Sequence, residues 1–143
     1  MSVQPKGAGS KYTYHPDLGG LPARCLMSCA IVASQCAAGE IIVLRVAGEV
    51  DLCTVPILHA ALDEGLDRDP AYLVVDLAQM TFCSVRGLDL LTQTRRIATA
   101  KATVYTVTGV PPHIQHVWTL CWGDDLPIRY HNTAAALSAI RAA

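Results

Sequence analysis

The residues with types and spacing suited to chemistry fall into three groups. His113 and His116 stand three apart, which on a helix would place both imidazoles on one face for a metal ion. Two ligands without a neighbouring carboxylate or cysteine make a poor site, and ordinary surface or core histidines are the simpler reading. Six cysteines, at positions 25, 29, 36, 53, 83 and 121, offer thiols but show neither a C-x-x-C pair nor a Cys/His grouping with zinc spacing. Cys53 and Cys83 both read as passive rather than redox-sensing. The third group lies in two short stretches, Gly48-Glu49-Val50-Asp51-Leu52-Cys53-Thr54 and Thr81-Phe82-Cys83-Ser84-Val85-Arg86-Gly87-Leu88. Neither stretch, nor any other, contains G-x-S-x-G, G-x-x-x-x-G-K-[ST] or a G-x-G-x-x-G after a strand. The sequence therefore points to a binding protein rather than an enzyme, with no catalytic residue, metal or cofactor assigned.

Both stretches need strands and helices to hold them. Residues 26–35 and 41–47 suit a hairpin around Ala37-Ala38-Gly39-Glu40. In the second run Ile42, Leu44 and Val46 alternate with Ile41, Val43 and Arg45, so both faces are largely apolar and the strand is expected inside a sheet, ending at Gly48. Thr54 is placed to cap a helix with Pro56 in its first turn, and Val55, Leu58, Leu62 and Leu66 mark its inner face. Residues 72–77 form a short apolar strand of the kind buried on both sides. Ser84 is an N-cap for a second helix to about Ala100, with Val85, Leu88, Leu91 and Ala98 on one side.

Residues 103–108 read as a β-branched strand. Pro111 opens a third helix with Ile114, Val117, Trp118 and Cys121 inward, closed at Gly123. Trp118 and Trp122 suit core and rim packing better than a partner anchor, and Arg95-Arg96 suits a solvated helix face. A last strand over 126–130 and a last helix over 133–141 follow. Two strands, then helix and strand three times, then a helix, ask for one α/β domain: a mixed central sheet with parallel crossovers and helices packed mainly on one face. If the second and third strands are parallel, the two stretches emerge at one sheet edge, where open α/β sheets bind ligands and partners.

Composition agrees with one domain. The chain has 143 residues, 52% hydrophobic and 16% charged, enough for a large core and too few residues for two. A net charge of -1 excludes a strongly basic nucleic-acid binder. Residues 1–24, with Lys6, Lys11 and Arg24 against Asp17 and with four glycines and three prolines, read as a flexible N-terminal tail, leaving 25–143 as the domain. No run is long and apolar enough to span a membrane, and the N-terminus lacks the order of a secretory signal. A cytoplasmic protein with reduced thiols is the expectation.

From about residue 41 to residue 140 the sequence resembles the STAS domains, and among them the bacterial anti-sigma factor antagonists. Gly48-Glu49-Val50-Asp51 is similar to the family's glycine–acid–hydrophobe–aspartate turn. The strand ending near Leu77, followed by Thr81-Phe82 and Gly87-Leu88, is similar to the segment before the family's switch helix. Residues 110–123 and 132–137 resemble its third helix and the start of its last. The resemblance implies a STAS-like fold and a partner that is an anti-sigma factor of serine-kinase type. In the family a Phe-x-Asp-Ser-Ser/Thr-Gly loop carries the phosphorylated serine. With Phe82 and Gly87 as anchors, Ser84 stands at the Asp position, Val85 at the acceptor and Arg86 at the second hydroxyl. Val85 accepts no phosphoryl group.

The resemblance thus implies partner binding through Asp51, Cys53, Ser84, Val85, Arg86 and Asp89, without serine phosphorylation as the switch. Ser84, primarily the helix N-cap, is the one shifted candidate acceptor. Asp51 is either a turn and capping residue or an interface charge that selects a basic partner. Two other readings stand beside the antagonist: an accessory STAS subunit of a transporter ATPase, and a nucleotide-binding regulatory domain, which the missing phosphate loop argues against. A homodimer is compatible with the sequence; nucleic acid and membrane insertion are not expected.

Overall fold

The computed structural model describes residues 27–142. The expected tail at 1–24 and Cys25 lie outside the described residues. The elements run β1 (Met27–Cys36), β2 (Gly39–Val50), α1 (Val55–Asp67), β3 (Tyr72–Cys83), α2 (Val85–Ala100), β4 (Val104–Thr108), α3 (Pro112–Trp122), β5 (Ile128–Tyr130) and α4 (Thr133–Ala142). β1 and β2 form the expected hairpin. Its turn closes at Gly39, whose φ of +131° strains any side chain, and an added Cβ there would stand a tight 3.0 Å from the Ala71 Cβ.

The sheet order is β1-β2-β3-β4-β5, with β1 antiparallel to β2 and the other three pairings parallel. Each parallel step is bridged by one helix, and the steps all advance in one direction, so right-handed crossovers put α1, α2 and α3 on the same face. Leu58 and Leu62 of α1, Leu88 and Leu91 of α2, and Ile114 and Trp118 of α3 pack there against Ile31, Leu44 and Val75. α4 covers the opposite face, where Ala136 and Ile140 meet Ile41, Val43 and Val74. The doubly apolar pattern of β2 has its reason here: its even and odd residues serve two different cores. Polar ties fix the helices, with the Trp118 indole donating to Thr92 Oγ1 at 2.8 Å and the buried Tyr105 hydroxyl donating to the Leu91 carbonyl at 2.8 Å.

The structure corrects several sequence expectations. β2 does not end at Gly48; that residue takes φ +99° and the strand continues to Val50. β3 runs six residues past Leu77, so Thr81, Phe82 and Cys83 are strand rather than loop. β5 begins at Ile128 rather than Leu126. Thr54 occupies the N-cap position of α1 but makes no side-chain cap bond. Val85, Val117 and Cys121, expected inward, are exposed.

Candidate protein-interaction site

The two stretches singled out in the sequence do meet, because β2 and β3 are parallel and end together. β3 carries an extra residue against β2 at two places, between the Arg45–Asp76 and Ala47–Gln79 pairs and between the Gly48–Met80 and Glu49–Phe82 pairs. Each extra residue turns the strand about its axis. Leu77, Met80 and Cys83, three apart rather than two, therefore all face the core, while Phe82 turns outward beside Glu49. The ladder is extended by the Ser84 amide, which donates to the Val50 carbonyl at 2.8 Å.

Local hydrogen bonds then shape each turn. After β2, Asp51 Oδ1 accepts from the Cys53 amide at 2.9 Å and the Thr54 amide at 3.1 Å. The buried Thr54 hydroxyl donates to the Glu49 carbonyl and accepts from the Asp51 amide, both at 2.8 Å. Asp51 thus closes the turn ahead of α1, and Thr54 ties that turn back to the strand. After β3, Ser84 Oγ accepts from the Gly87 amide at 3.2 Å, the N-cap expected of it. Gly87 is the close-approach residue: a Cβ there would stand 2.7 Å from Cys83 Sγ and 2.8 Å from Val50 Cγ1. Its absence lets the start of α2 sit directly on the strand ends.

This backbone projects an apolar group from each turn. Leu52 is 72% exposed, Phe82 49% and Val85 55%. Arg86 is exposed and, among the described residues, makes no ion pair. Asp89, half-buried, accepts from Gln93 Nε2 at 2.8 Å on its own helix. Cys53 is half-buried, whereas burial removes Cys83 from the surface and pushes its thiol up to about 12. Asp51, Cys53, Ser84, Val85, Arg86 and Asp89 are therefore gathered at one end of the sheet. The sequence reading omitted Leu52 and used Phe82 only as an anchor. Leu52 could have been found from its place inside a tight capped turn, and Phe82 from its place next to an inward Cys83.

His113 Nε2 lies 3.1 Å from the Thr81 carbonyl and steadies the end of β3, and the described residues contain no group of three or more His, Cys, Asp or Glu placed for a metal. Trp118 is core and Trp122 packs at its rim, as expected. Arg95 pairs with Asp125 at 3.3 Å and Arg96 is solvated. No described helix is long and apolar enough to cross a membrane.

A five-stranded mixed sheet with three helices on one face and a fourth behind it, opening on two hydrogen-bonded turns, defines an α/β fold class. The family model described as "Mlab, STAS domain" matches residues 34–122, and the chain belongs to the STAS domain family. No curated protein matches the chain by sequence. Among solved structures it is similar to an anti-sigma factor antagonist from Mycobacterium paratuberculosis, at 26% identity and a TM-score of 0.65 over 80% of this chain and 95% of that one. It is similar in fold to the anti-sigma factor antagonist SpoIIAA in its unphosphorylated form, at 16% identity and a TM-score of 0.60 over 80% of this chain and 100% of that one. The phosphorylated form of the Bacillus cell fate determinant SpoIIAA is matched at 17% identity and a TM-score of 0.59, over 78% of this chain and 100% of that one.

Proposed function

We propose that this chain is an anti-sigma factor antagonist-like regulator of the bacterial cytoplasm that binds a serine-kinase-type anti-sigma factor through the ends of β2 and β3. Leu52, Phe82 and Val85 form the apolar centre of the contact, with Asp51, Cys53, Ser84, Arg86 and Asp89 around it. An apolar centre with a charged rim is the anatomy of a transient interface. The observation that carries this reading is Val85, exposed at the first position of α2, where the family resemblance places the phosphorylated hydroxyl. In a relative, phosphate there is favoured by the helix N-terminus and repels a docked partner. With valine the surface stays in its unmodified form, so control falls on the supply of the partner or of this chain.

The test is capture of the partner, followed by affinity measurement with Val85→Glu. A carboxylate near a helix N-terminus leaves the domain folded. Buried against a partner without a matching cation it costs about 2–5 kcal/mol, more than tenfold in affinity. Incubation with the captured kinase and ATP should leave the intact mass unchanged. Phosphate on Ser84 would instead restore the switch one residue earlier. Unchanged affinity of a folded Val85→Glu variant would remove the surface from the interface, and capture of a transporter ATPase would favour the accessory-subunit reading.

A further inference from the structure

The two edges of the sheet are built differently. A free edge presents a row of unpaired N–H and C=O groups to any passing strand, and proteins blunt it by shortness, charge, proline or a bulge. The β5 edge is blunted: it is three residues long, holds Arg129 at its centre and follows Pro127. The β1 edge is not. Its ten residues, Met-Ser-Cys-Ala-Ile-Val-Ala-Ser-Gln-Cys, contain no charge, proline or glycine, and they pair with β2 in unbroken register over their whole length. Among the described residues its outer side has no partner strand.

We infer that β1 is a self-association edge, on which two copies of this chain pair antiparallel about a two-fold axis into one ten-stranded sheet. The inference does not depend on the proposed function. The chain's own N-terminal segment is a poor occupant. Pro5, Pro16 and Pro22 and Gly7, Gly9, Gly19 and Gly20 interrupt residues 1–26, and the longest run free of both, residues 10–15, is shorter than the ten-residue edge. Proline supplies no ladder N–H, and glycine weakens a strand. A second copy brings an edge of matching length and matching neutrality.

The side chains suit such a pairing. Met27, Cys29, Ile31 and Ala33 are buried on the face toward the large core, and Ser28, Ala30, Val32 and Ser34 lie half-buried on the other. An antiparallel two-fold that sets like face against like face continues both layers, places small residues opposite one another and opposes no like charges. Because the contact is isologous, it closes at two copies and leaves only the two short β5 edges free. The two-fold also turns the carboxyl ends of β2 and β3 in the two copies toward opposite ends of the assembly, so neither copy's Leu52–Val85 surface is covered by the other.

Analytical ultracentrifugation of the full chain across a concentration series tests this, together with hydrogen exchange of the β1 amides and the variant Val32→Lys. Val32 lies at the middle of the strand on its half-buried face, so lysine there sets two cations near each other across the axis. The expected result is a dimer of the native chain, outer β1 amides whose protection rises with concentration, and self-association weakened about tenfold or more in Val32→Lys at an undisturbed fold. If Val32→Lys fails to fold, Ser34→Lys takes its place, and the exchange measurement on the native chain stands alone. A native chain that stays monomeric overturns the inference, and protected outer amides in that monomer would assign the edge to residues 1–26. A dimer that ignores the lysine while the outer β1 amides exchange freely overturns it as well.

Discussion

At the scale of single residues, Asp51 has two roles that substitution can separate. Its Oδ1 accepts from the Cys53 and Thr54 amides in the turn that leads into α1, while its charge sits at the rim of the proposed contact. Asp51→Ala removes both and should destabilise the domain by about 1 kcal/mol, the range for a lost local hydrogen-bond acceptor. Asp51→Asn keeps an accepting oxygen and removes only the charge, so it should melt close to the native protein. If the charge steers a basic partner, Asp51→Asn also slows association with little change in dissociation, most visibly at low salt. Urea unfolding and surface-based kinetics on the two variants measure these effects independently. An equal loss of stability in both would show that the negative charge itself, and not only the accepting geometry, holds the turn.

At the scale of elements, the packing of α2 onto the strand ends depends on Gly87. Alanine is worth up to about 1 kcal/mol more than glycine inside a helix, yet here its Cβ would press on Cys83 and Val50, both buried. Overpacking of that kind costs about 1–3 kcal/mol. Gly87→Ala should therefore lower thermal stability despite better helix propensity; a stabilised variant would mean that α2 can lift off the sheet at little cost. Element order, the parallel pairing of β2 with β3, and the Ser84 cap were legible in the sequence, because period, length and capping residues are local signals. The full extent of β3 was not. Its two bulges break the alternation after Leu77, so Ala78, Gln79 and Thr81 read as a polar loop although they remain in the ladder or beside it. Val85 reads as part of the inner stripe because it stands three residues before Leu88, but spacing within a helix does not reveal which of its positions the sheet covers. Leu52 escaped for a related reason: the hydrogen bonds that close its turn are made by its neighbours.

At the scale of the whole molecule, the large core encloses groups whose ionisation it opposes. Burial pushes the Cys29 and Cys83 thiols from an ordinary value of 9.0 up to about 12. Burial also raises the Tyr105 hydroxyl above its ordinary value of 10.0, against opposing contributions from the Arg95 charge and a hydrogen bond with Thr94. In the unfolded chain the two thiols release their protons near pH 9, whereas in the folded chain they hold them to about pH 12. Between those values the unfolded state binds fewer protons, so stability falls as pH rises, by about 1.4 kcal/mol per pH unit for each thiol once its unfolded form is fully ionised. Below pH 9 this contribution is constant, and Tyr105 steepens the decline above pH 10. Unfolding free energies measured by urea from pH 7 to pH 11 should therefore run level and then drop. Cys83→Ala, which removes one thiol and little volume, should reduce the slope above pH 9 by that thiol's share. The same burial orders the thiols by reactivity: at pH 8 the exposed Cys121 is alkylated directly, while Cys29 and Cys83 react only as fast as the fold opens. Site-resolved mass spectrometry distinguishes the classes. Rapid labelling of Cys83 in the folded protein would show that the start of α2 opens locally, and would place a mobile element directly beneath the proposed contact surface.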